Sequence, residues 1–204
     1  RSTQNKGETM NILIDKLPRS VEVGGSVFNL DTDYRAAVKF SLMIEKGEED
    51  IFKLCEPFFP NGYPGELQKM AEAVIYFFRA GAEEQDTGGV KSSSSEPAYS
   101  FEVDRDAIYA DFWRYYSIDL STEYLHWWTF KSLLMGLPED SNFKMRIYYR
   151  KCNLKDLPKK EKQRILNIRK DIKIKTVEKS GKITLEQRNN SMLDYVKKRS
   201  IETG

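Results

Sequence analysis

Hydrophobic and polar positions follow two different periods along the chain, and the change falls near Asp31. Before it, apolar residues form short runs or alternate with charged residues, and Gly24-Gly25 separates two such runs. A Gly-Gly pair permits the positive φ angles of a two-residue turn, so the pattern predicts a β-hairpin within residues 11–30. The run Ile12-Leu13-Ile14 is interpreted as a further short strand.

After Asp31 the apolar positions recur every three to four residues, which is typical of amphipathic helices. Helices are predicted over residues 33–46, 49–55, 67–80, 104–115, 121–135, 141–152 and 158–172. In the fifth of these, Ser121 or Thr122 is the expected N-cap. Its apolar residues lie nearly all round, which indicates a central position. The predicted fold class is mainly α: a multi-helix domain with a short N-terminal β-hairpin.

The ends and one internal stretch differ in composition from this domain. Residues 1–9 are polar and aperiodic, and we interpret them as translated leader, cloning residue or the end of an upstream fusion. Residues 10–175 form the predicted helical domain. Residues 82–97 are rich in Gly, Ser and acids, and we predict a mobile loop there. Residues 176–204 hold only scattered apolar positions and predict a basic, weakly ordered tail.

Charge is distributed unevenly, although the whole chain has a net charge of only +2. Residues 144–204 carry 19 Lys and Arg against 7 Asp and Glu, a net charge of +12, and residues 1–143 carry −10. Such a basic segment fits nucleic acid, an acidic protein, the acidic body itself, or plain solvation.

One predicted helix within that segment has a narrow stripe of Ile165, Ile168 and Ile172. Its basic residues include Lys160, Arg164, Arg169 and Lys173. An anionic membrane surface is disfavoured because the stripe carries no Trp or Phe anchor. Docking of this helix into an acidic groove, of another protein or of this one, is favoured.

Groups for catalysis or metal binding are few. The single histidine, His126, excludes multi-His metal sites, and Cys55 and Cys152 lack ligand spacing. His126 precedes Trp127 and Trp128 on an apolar helix, so a packed histidine is favoured over a catalytic base. Five acids cluster in the sequence and could hold Mg²⁺ or act in acid/base chemistry: Glu102, Asp104, Asp106, Asp111 and Asp119. Asp104 and Asp106 fit the acids of a helix N-terminus, so we interpret the cluster as structural. We therefore predict no enzyme, no cofactor and no metal, in a reducing cytoplasm without membrane association.

Aromatic residues are abundant, with 25 Phe, Tyr and Trp beside 6 Met. Residues 112–116 and 146–151 place aromatics beside Arg and Lys, as single-strand nucleic-acid platforms do. Their helical spacing favours core filling instead. Surplus apolar surface beyond one core is nevertheless expected, and the candidates for contact with a protein partner are Phe58, Phe59, Tyr63, Trp113, Trp127, Trp128 and Tyr149.

Several segments and their order along the chain resemble a bacteriophage tail-region family catalogued as phage gene product fifteen. The most specific is the Trp-rich block His126-Trp-Trp-Thr-Phe-Lys-Ser-Leu-Leu-Met-Gly-Leu. The others are residues 10–23, 29–35, 99–112, 116–120 and 145–150. The likeness spans roughly residues 10–175, and residues 176–204 lie outside it.

The resemblance implies a tail assembly chaperone of the host cytoplasm in siphoviruses and prophages of Gram-positive bacteria. Such a protein would bind the tape measure protein and keep it soluble until the tail tube closes round it, without catalysis. The tail tube protein and further copies of this chain are additional partners implied in this way. The alternative is a nucleic-acid-binding phage accessory protein that uses the basic C-terminal segment.

Overall fold

The computed structural model describes residues 10–81 and 97–174. The interpretations of residues 1–9, of the tail at 176–204 and of all but the last residue of the loop at 82–97 lie outside these ranges. The elements in chain order are β1 Ser20–Val23, β2 Ser26–Asn29, α1 Tyr34–Glu45, α2 Ile51–Cys55, a 3₁₀ turn Glu56–Phe58, α3 Leu67–Phe78, α4 Arg105–Tyr116, α5 Trp127–Met135, α6 Asn142–Lys151 and α7 Lys159–Asp171. The mainly α fold with an N-terminal hairpin is confirmed.

The hairpin pairs β1 and β2 antiparallel, with Val23 opposite Ser26 and Val21 opposite Phe28. The predicted turn at Gly24 and Gly25 is confirmed, with φ angles of 61° and 79°. Both values lie in the left-handed region that a two-residue hairpin turn requires and that glycine adopts without steric cost. Strand β1 packs on α3.

The predicted strand at Ile12-Leu13-Ile14 is wrong, because this segment forms a tight turn. The Asn11 carbonyl accepts the N–H of Ile14 at 2.9 Å and of Asp15 at 2.8 Å. The Asn11 side chain also accepts the Leu13 N–H at 3.0 Å. Local hydrogen bonding by Asn thus competes successfully with strand formation. Leu13 and Ile14 are left 90% and 81% exposed.

The start of α5 also differs from the prediction. The helix begins at Trp127 with His126 as its N-cap, and not after Ser121 or Thr122. The Ser121 hydroxyl instead donates to Asp119 Oδ1 at 2.6 Å. This bond closes a local turn, so the hydroxyl does not cap a helix.

Tertiary hydrogen bonds keep the residues before α5 from joining that helix. Asp33 and His126 form an isolated antiparallel β-bridge. Beside it, the Tyr34 N–H donates to Leu125 O at 2.9 Å, and the Trp127 N–H donates to Thr32 O at 2.8 Å. The N-termini of α1 and α5 are therefore held side by side by backbone bonds that a longer α5 would lose.

The core is a continuous cluster of aromatic rings from α1, α3, α4 and α5. Trp127 stacks on Phe78 with 5.3 Å between ring centroids. Phe130 stacks on Tyr34 at 4.5 Å and on Phe112 at 5.0 Å. Because these five residues lie on four helices, ring packing sets the helix positions.

The C-terminus of α3 receives three side-chain donors from α5, which we name the α3 carbonyl cap. The donors and acceptors are Trp127 Nε1–H to Phe78 O at 2.8 Å, Trp128 Nε1–H to Phe77 O at 2.8 Å, and Lys131 Nζ to Arg79 O at 2.9 Å. The last carbonyls of a helix have no partner within it and carry partial negative charge, so donors placed there stabilise the helix end.

The α6 helix is held by a carboxylate from α4. Asp111 is fully buried and accepts the N–H of Phe143 at 2.7 Å and of Asn142 at 3.2 Å. A carboxylate at a helix N-terminus satisfies free N–H groups and interacts favourably with the helix dipole. Ser141, where the sequence predicts the helix to begin, caps the same helix from its own chain segment.

Substitution of Trp127 by Phe should lower the free energy of unfolding by about 1–3 kcal/mol from the orphaned Phe78 carbonyl alone. Trp113→Phe is the matched control because Trp113 is 57% exposed, and its effect should stay within about 0.5 kcal/mol. Urea unfolding followed by circular dichroism measures both. Equal destabilisation by the two variants would contradict the role of the indole N–H.

Candidate partner-binding surface

Four of the seven aromatic residues predicted to contact a partner lie in the core. Phe58, Phe59, Trp127 and Trp128 are exposed by 0%, 2%, 2% and 3%. They fill space between helices, and both indoles belong to the α3 carbonyl cap. This part of the prediction is wrong for the folded chain, because buried rings offer a partner no surface.

Trp113 does lie at the surface, on the solvent face of α4. It is 57% exposed, and Tyr109, one turn earlier, is 41% exposed. Residues four apart on a helix are neighbours on one face, so these two exposed rings lie on the same face of α4, and we name them the α4 pair. The Tyr109 hydroxyl donates to Asp119 Oδ1 at 3.0 Å, which orients the Tyr109 ring.

Tyr63 is also at the surface and forms a second exposed pair with Phe52 of α2. Tyr63 is 44% and Phe52 49% exposed, and their rings meet edge to face at a centroid distance of 6.4 Å. We name these two residues the α2 pair. Three exposed acids lie close to Phe52 in the sequence, namely Glu49, Asp50 and Glu56.

Tyr149 is half-buried at the junction of α6 and α7. Its carbonyl accepts the Arg169 Nε–H at 2.6 Å. The Arg169 guanidinium also donates to Cys152 O at 2.6 Å, and Arg150 donates in return to Ile172 O at 2.8 Å. Two arginines therefore cap the C-termini of α6 and α7 reciprocally, as cations do at helix C-termini.

The isoleucine stripe of α7 is covered by this chain itself. Ile165 and Ile172 are only 3% and 6% exposed. Of the four basic residues predicted as a binding segment, Lys160, Arg164 and Lys173 lie exposed. Arg169 is engaged with α6 instead. Among the residues described, no helix is long and apolar enough to cross a membrane.

Both ring nitrogens of His126 are engaged by backbone groups. Nδ1 accepts the Trp128 N–H at 3.1 Å, and Nε2 lies 3.0 Å from Pro18 O. Since a carbonyl only accepts, Nε2 carries the proton and the ring is neutral. Burial lowers the pKa of His126; the bond to Pro18 opposes this shift and the charge of Arg19 adds to it. The imidazole acts here as a helix cap.

The acids that cluster in the sequence between Glu102 and Asp119 have separate roles in the structure. Asp104 is fully buried and forms a bidentate ion pair with Arg150, at 2.7 Å for each oxygen. Asp111 caps α6, while Asp106 is exposed on α4. In the described ranges, no three His, Cys, Asp or Glu side chains are placed to hold a metal ion.

Comparison with protein-family models gives a match to the family described as Bacteriophage Gp15 protein over residues 13–190. The chain belongs to this family. The match extends past residue 175, so the prediction that residues 176–204 lie outside the family is wrong for residues 176–190. A search of curated proteins and a search of solved structures each returned no match.

Membership of the Bacteriophage Gp15 protein family makes this a phage protein and indicates a structural or assembly role. The exposed residues Tyr109 and Phe52 of this family member were missed as partner candidates. A signal was available for Tyr109, because it lies one turn before Trp113 and opposite the buried face that contains Ile108 and Phe112. No comparable sequence pattern separates Phe52 from the buried Leu54 and Cys55.

His126 of this Gp15 family member should make stability depend on pH. In the folded chain the pKa of His126 lies below the ordinary value of 6.5. As the pH falls through 6.5, the unfolded chain therefore takes up a proton on this residue before the folded chain does. The free energy of unfolding should therefore decrease as the pH falls from 6.5 toward 5.5. His126→Asn keeps a capping side chain that does not titrate there and should show a flatter profile. Identical profiles in urea unfolding would refute the coupling.

Asp104→Asn should lower the free energy of unfolding by about 3 kcal/mol or more, because it leaves the Arg150 charge buried without its counter-charge. Asp106→Asn is the control, since that side chain is 90% exposed and should matter by about 0.5 kcal/mol or less. Thermal unfolding with and without Mg²⁺ measures both effects. A Mg²⁺-dependent stabilisation that only Asp104→Asn abolishes would reverse the structural assignment of this acid.

Proposed function

We propose that this chain is a non-catalytic tail assembly chaperone of the host cytoplasm, which binds the tape measure protein and keeps it soluble during tail tube assembly. Membership of the phage family supports an assembly role. The use of His126 and the buried acids in helix capping and ion pairing supports a binding function over an enzymatic one. The tail tube protein and further copies of this chain are proposed additional partners.

The observation that carries the proposal is the α4 pair. Trp113 lies outside the aromatic core, with 57% of its surface exposed, and it shares a face of α4 with Tyr109. Tryptophan and tyrosine dominate the binding energy of protein interfaces because they bury large areas at small cost in side-chain entropy. A rigid helix that displays both is suited to hold an apolar stripe of another helix.

The α2 pair offers a second contact of a different character. Glu49 and Asp50 precede Phe52 in the chain and Glu56 follows it, and all three are exposed. This surface therefore suits a partner with basic residues beside its apolar stripe. With both the α4 pair and the α2 pair on each small protein, several copies could cover a long helical partner. Coverage of exposed apolar stripes is what prevents their self-association.

The test is co-expression with the tape measure protein of the same phage. The wild-type chain should raise the soluble fraction of that protein and be recovered with it. The double variant Tyr109→Ala, Trp113→Ala should weaken binding by at least about thirtyfold, as expected from the loss of hot-spot aromatics.

Tyr148→Ala is the matched control, because Tyr148 is 51% exposed but lies on α6. It should bind as the wild type does. Circular dichroism of each variant checks that the fold is intact. The chaperone proposal is wrong if the tape measure protein is equally insoluble with and without the wild-type chain and no complex is recovered.

The alternative, binding to nucleic acid, is favoured by one observation. The solvent face of α7 carries a row of exposed basic side chains: Lys159, Lys160, Lys162, Arg164 and Lys170. Phosphate contacts made by such residues should be strongest at low salt. A mobility shift of double- and single-stranded DNA at low ionic strength tests this function, and the absence of any shift would eliminate it.

A further inference from the structure

The turn that precedes the hairpin exposes three consecutive aliphatic side chains. Ile12, Leu13 and Ile14 are exposed by 44%, 90% and 81%. Apolar residues that are scattered singly over a surface need no explanation, whereas a contiguous exposed group of them marks a site of contact. We name these three residues the N-terminal knob.

The N-terminal knob is held in one conformation by the polar residues beside it. The Asn11 N–H donates to Asp15 Oδ2 at 2.8 Å, while Asn11 Oδ1 accepts the Leu13 N–H at 3.0 Å. These reciprocal bonds resemble those of a capping box and close a single turn. Behind the turn, His126 Nε2 donates to Pro18 O at 3.0 Å and ties the segment to α5. A knob that is already ordered loses little conformational entropy when it binds.

The flanks of the N-terminal knob are basic, although the body that carries it is acidic. Lys16 and Arg19 are exposed next to it, whereas the Asp15 carboxylate is engaged within the turn. Residues 1–9, which precede the knob, contain no large apolar side chain that could cover it. The knob therefore suits an apolar surface that is bordered by acids.

The α2 pair of this same chain has that complementary chemistry. The rings of Phe52 and Tyr63 meet at an angle of 84°, so their faces form a corner into which an aliphatic side chain fits. Residues 48–66 carry five acids and one base, a net charge of −4. The base, Lys53, is itself paired with Glu48 at 3.7 Å. One chain thus displays an aliphatic surface with basic flanks and an aromatic surface with acidic flanks.

We propose that the N-terminal knob of one copy docks on the α2 pair of a second copy, with Lys16 and Arg19 facing Glu49 and Glu56. Both surfaces are exposed in the folded chain, so they are not joined within one copy. Two complementarities, apolar to apolar and basic to acidic, identify a second copy as the occupant. Because two different surfaces meet, the contact is head-to-tail and extends into a row of copies.

This inference deepens the proposed function, on which it rests for its setting. The α4 pair takes no part in the contact, so each copy in a row keeps that pair available for the tape measure protein. The α2 pair of each copy is then filled by its neighbour. Because the contact is small, isolated copies associate weakly, and binding along one long partner strengthens the contact by raising their effective concentration.

The test uses the purified chain without the tape measure protein, so its outcome is separate from that of the co-expression experiment. Sedimentation analysis up to millimolar concentration should show self-association that weakens as salt is added. Leu13→Ser should raise the dissociation constant by at least about tenfold, because it removes the most exposed aliphatic group of the knob. Val27→Thr is the matched control, since Val27 is also exposed but lies outside both surfaces. It should associate as the wild type does.

An exchange of charges identifies the two surfaces directly. One variant carries Lys16→Glu with Arg19→Glu, and the other carries Glu49→Lys with Glu56→Lys. Each variant alone brings like charges together across the contact and should be monomeric. An equal mixture of the two should associate again, because every contact between the two variants joins opposite charges. Circular dichroism checks the fold of each variant.

Three results in sedimentation would overturn the proposal. These are a wild type that is monomeric at every concentration, self-association that Leu13→Ser leaves unchanged, and a mixture of the charge variants that stays monomeric. Cosedimentation with anionic lipid vesicles tests a different occupant. Vesicle binding that depends on Leu13, in a chain that does not self-associate, would assign the knob to a membrane surface instead.

Discussion

The bonds from the α5 side chains to the last carbonyls of α3 are the constraint on which the other packing relations depend. Trp127 and Trp128 reach Phe78 O and Phe77 O with their indole N–H groups, so each ring has one permitted orientation. Burial lowers the pKa of Lys131, the third donor of the α3 carbonyl cap. With the indoles fixed, Phe78 stacks on Trp127, and Phe130 extends the stack toward α1 and α4. One helix end thereby positions three neighbouring helices.

The same packing determines where a partner can bind. The Trp-rich block of α5 is buried in the core. The sequence feature that most resembles the phage family therefore stabilises the fold of this chain. The exposed rings of the α4 pair and the α2 pair are available for intermolecular contact, as are those of Tyr124 and Tyr148. The α4 pair lies on a helix whose opposite face is buried, so a partner would meet a rigid surface there and lose little ordering entropy. In the α2 pair, Phe52 lies on α2, whereas Tyr63 lies in the segment between the 3₁₀ turn and α3.

Sequence patterns were sufficient where local chemistry determines the structure. The turn at Gly24-Gly25 and the start of α1 beside Asp33 follow from backbone geometry and short-range hydrogen bonds. They failed where distant segments compete. Ser121 or Thr122 is the N-cap that the sequence predicts for α5, but the Ser121 hydroxyl donates to Asp119. The helix instead starts after His126, beside the backbone bonds to the N-terminus of α1. Period and composition also cannot separate a core tryptophan from a surface one. Trp127 and Trp113 both lie at plausible helix positions, and only the tertiary structure shows which ring is exposed.

We propose that this phage family member binds the tape measure protein through the solvent face of α4 and not through the Trp-rich block. Hydrogen–deuterium exchange of the chain, alone and in complex with the tape measure protein, tests it most directly. The account predicts slower exchange in α4, Arg105–Tyr116, on complex formation, with exchange in α5, Trp127–Met135, unchanged. Protection confined to α7, Lys159–Asp171, or opening of α5 with no protection of α4, would contradict it.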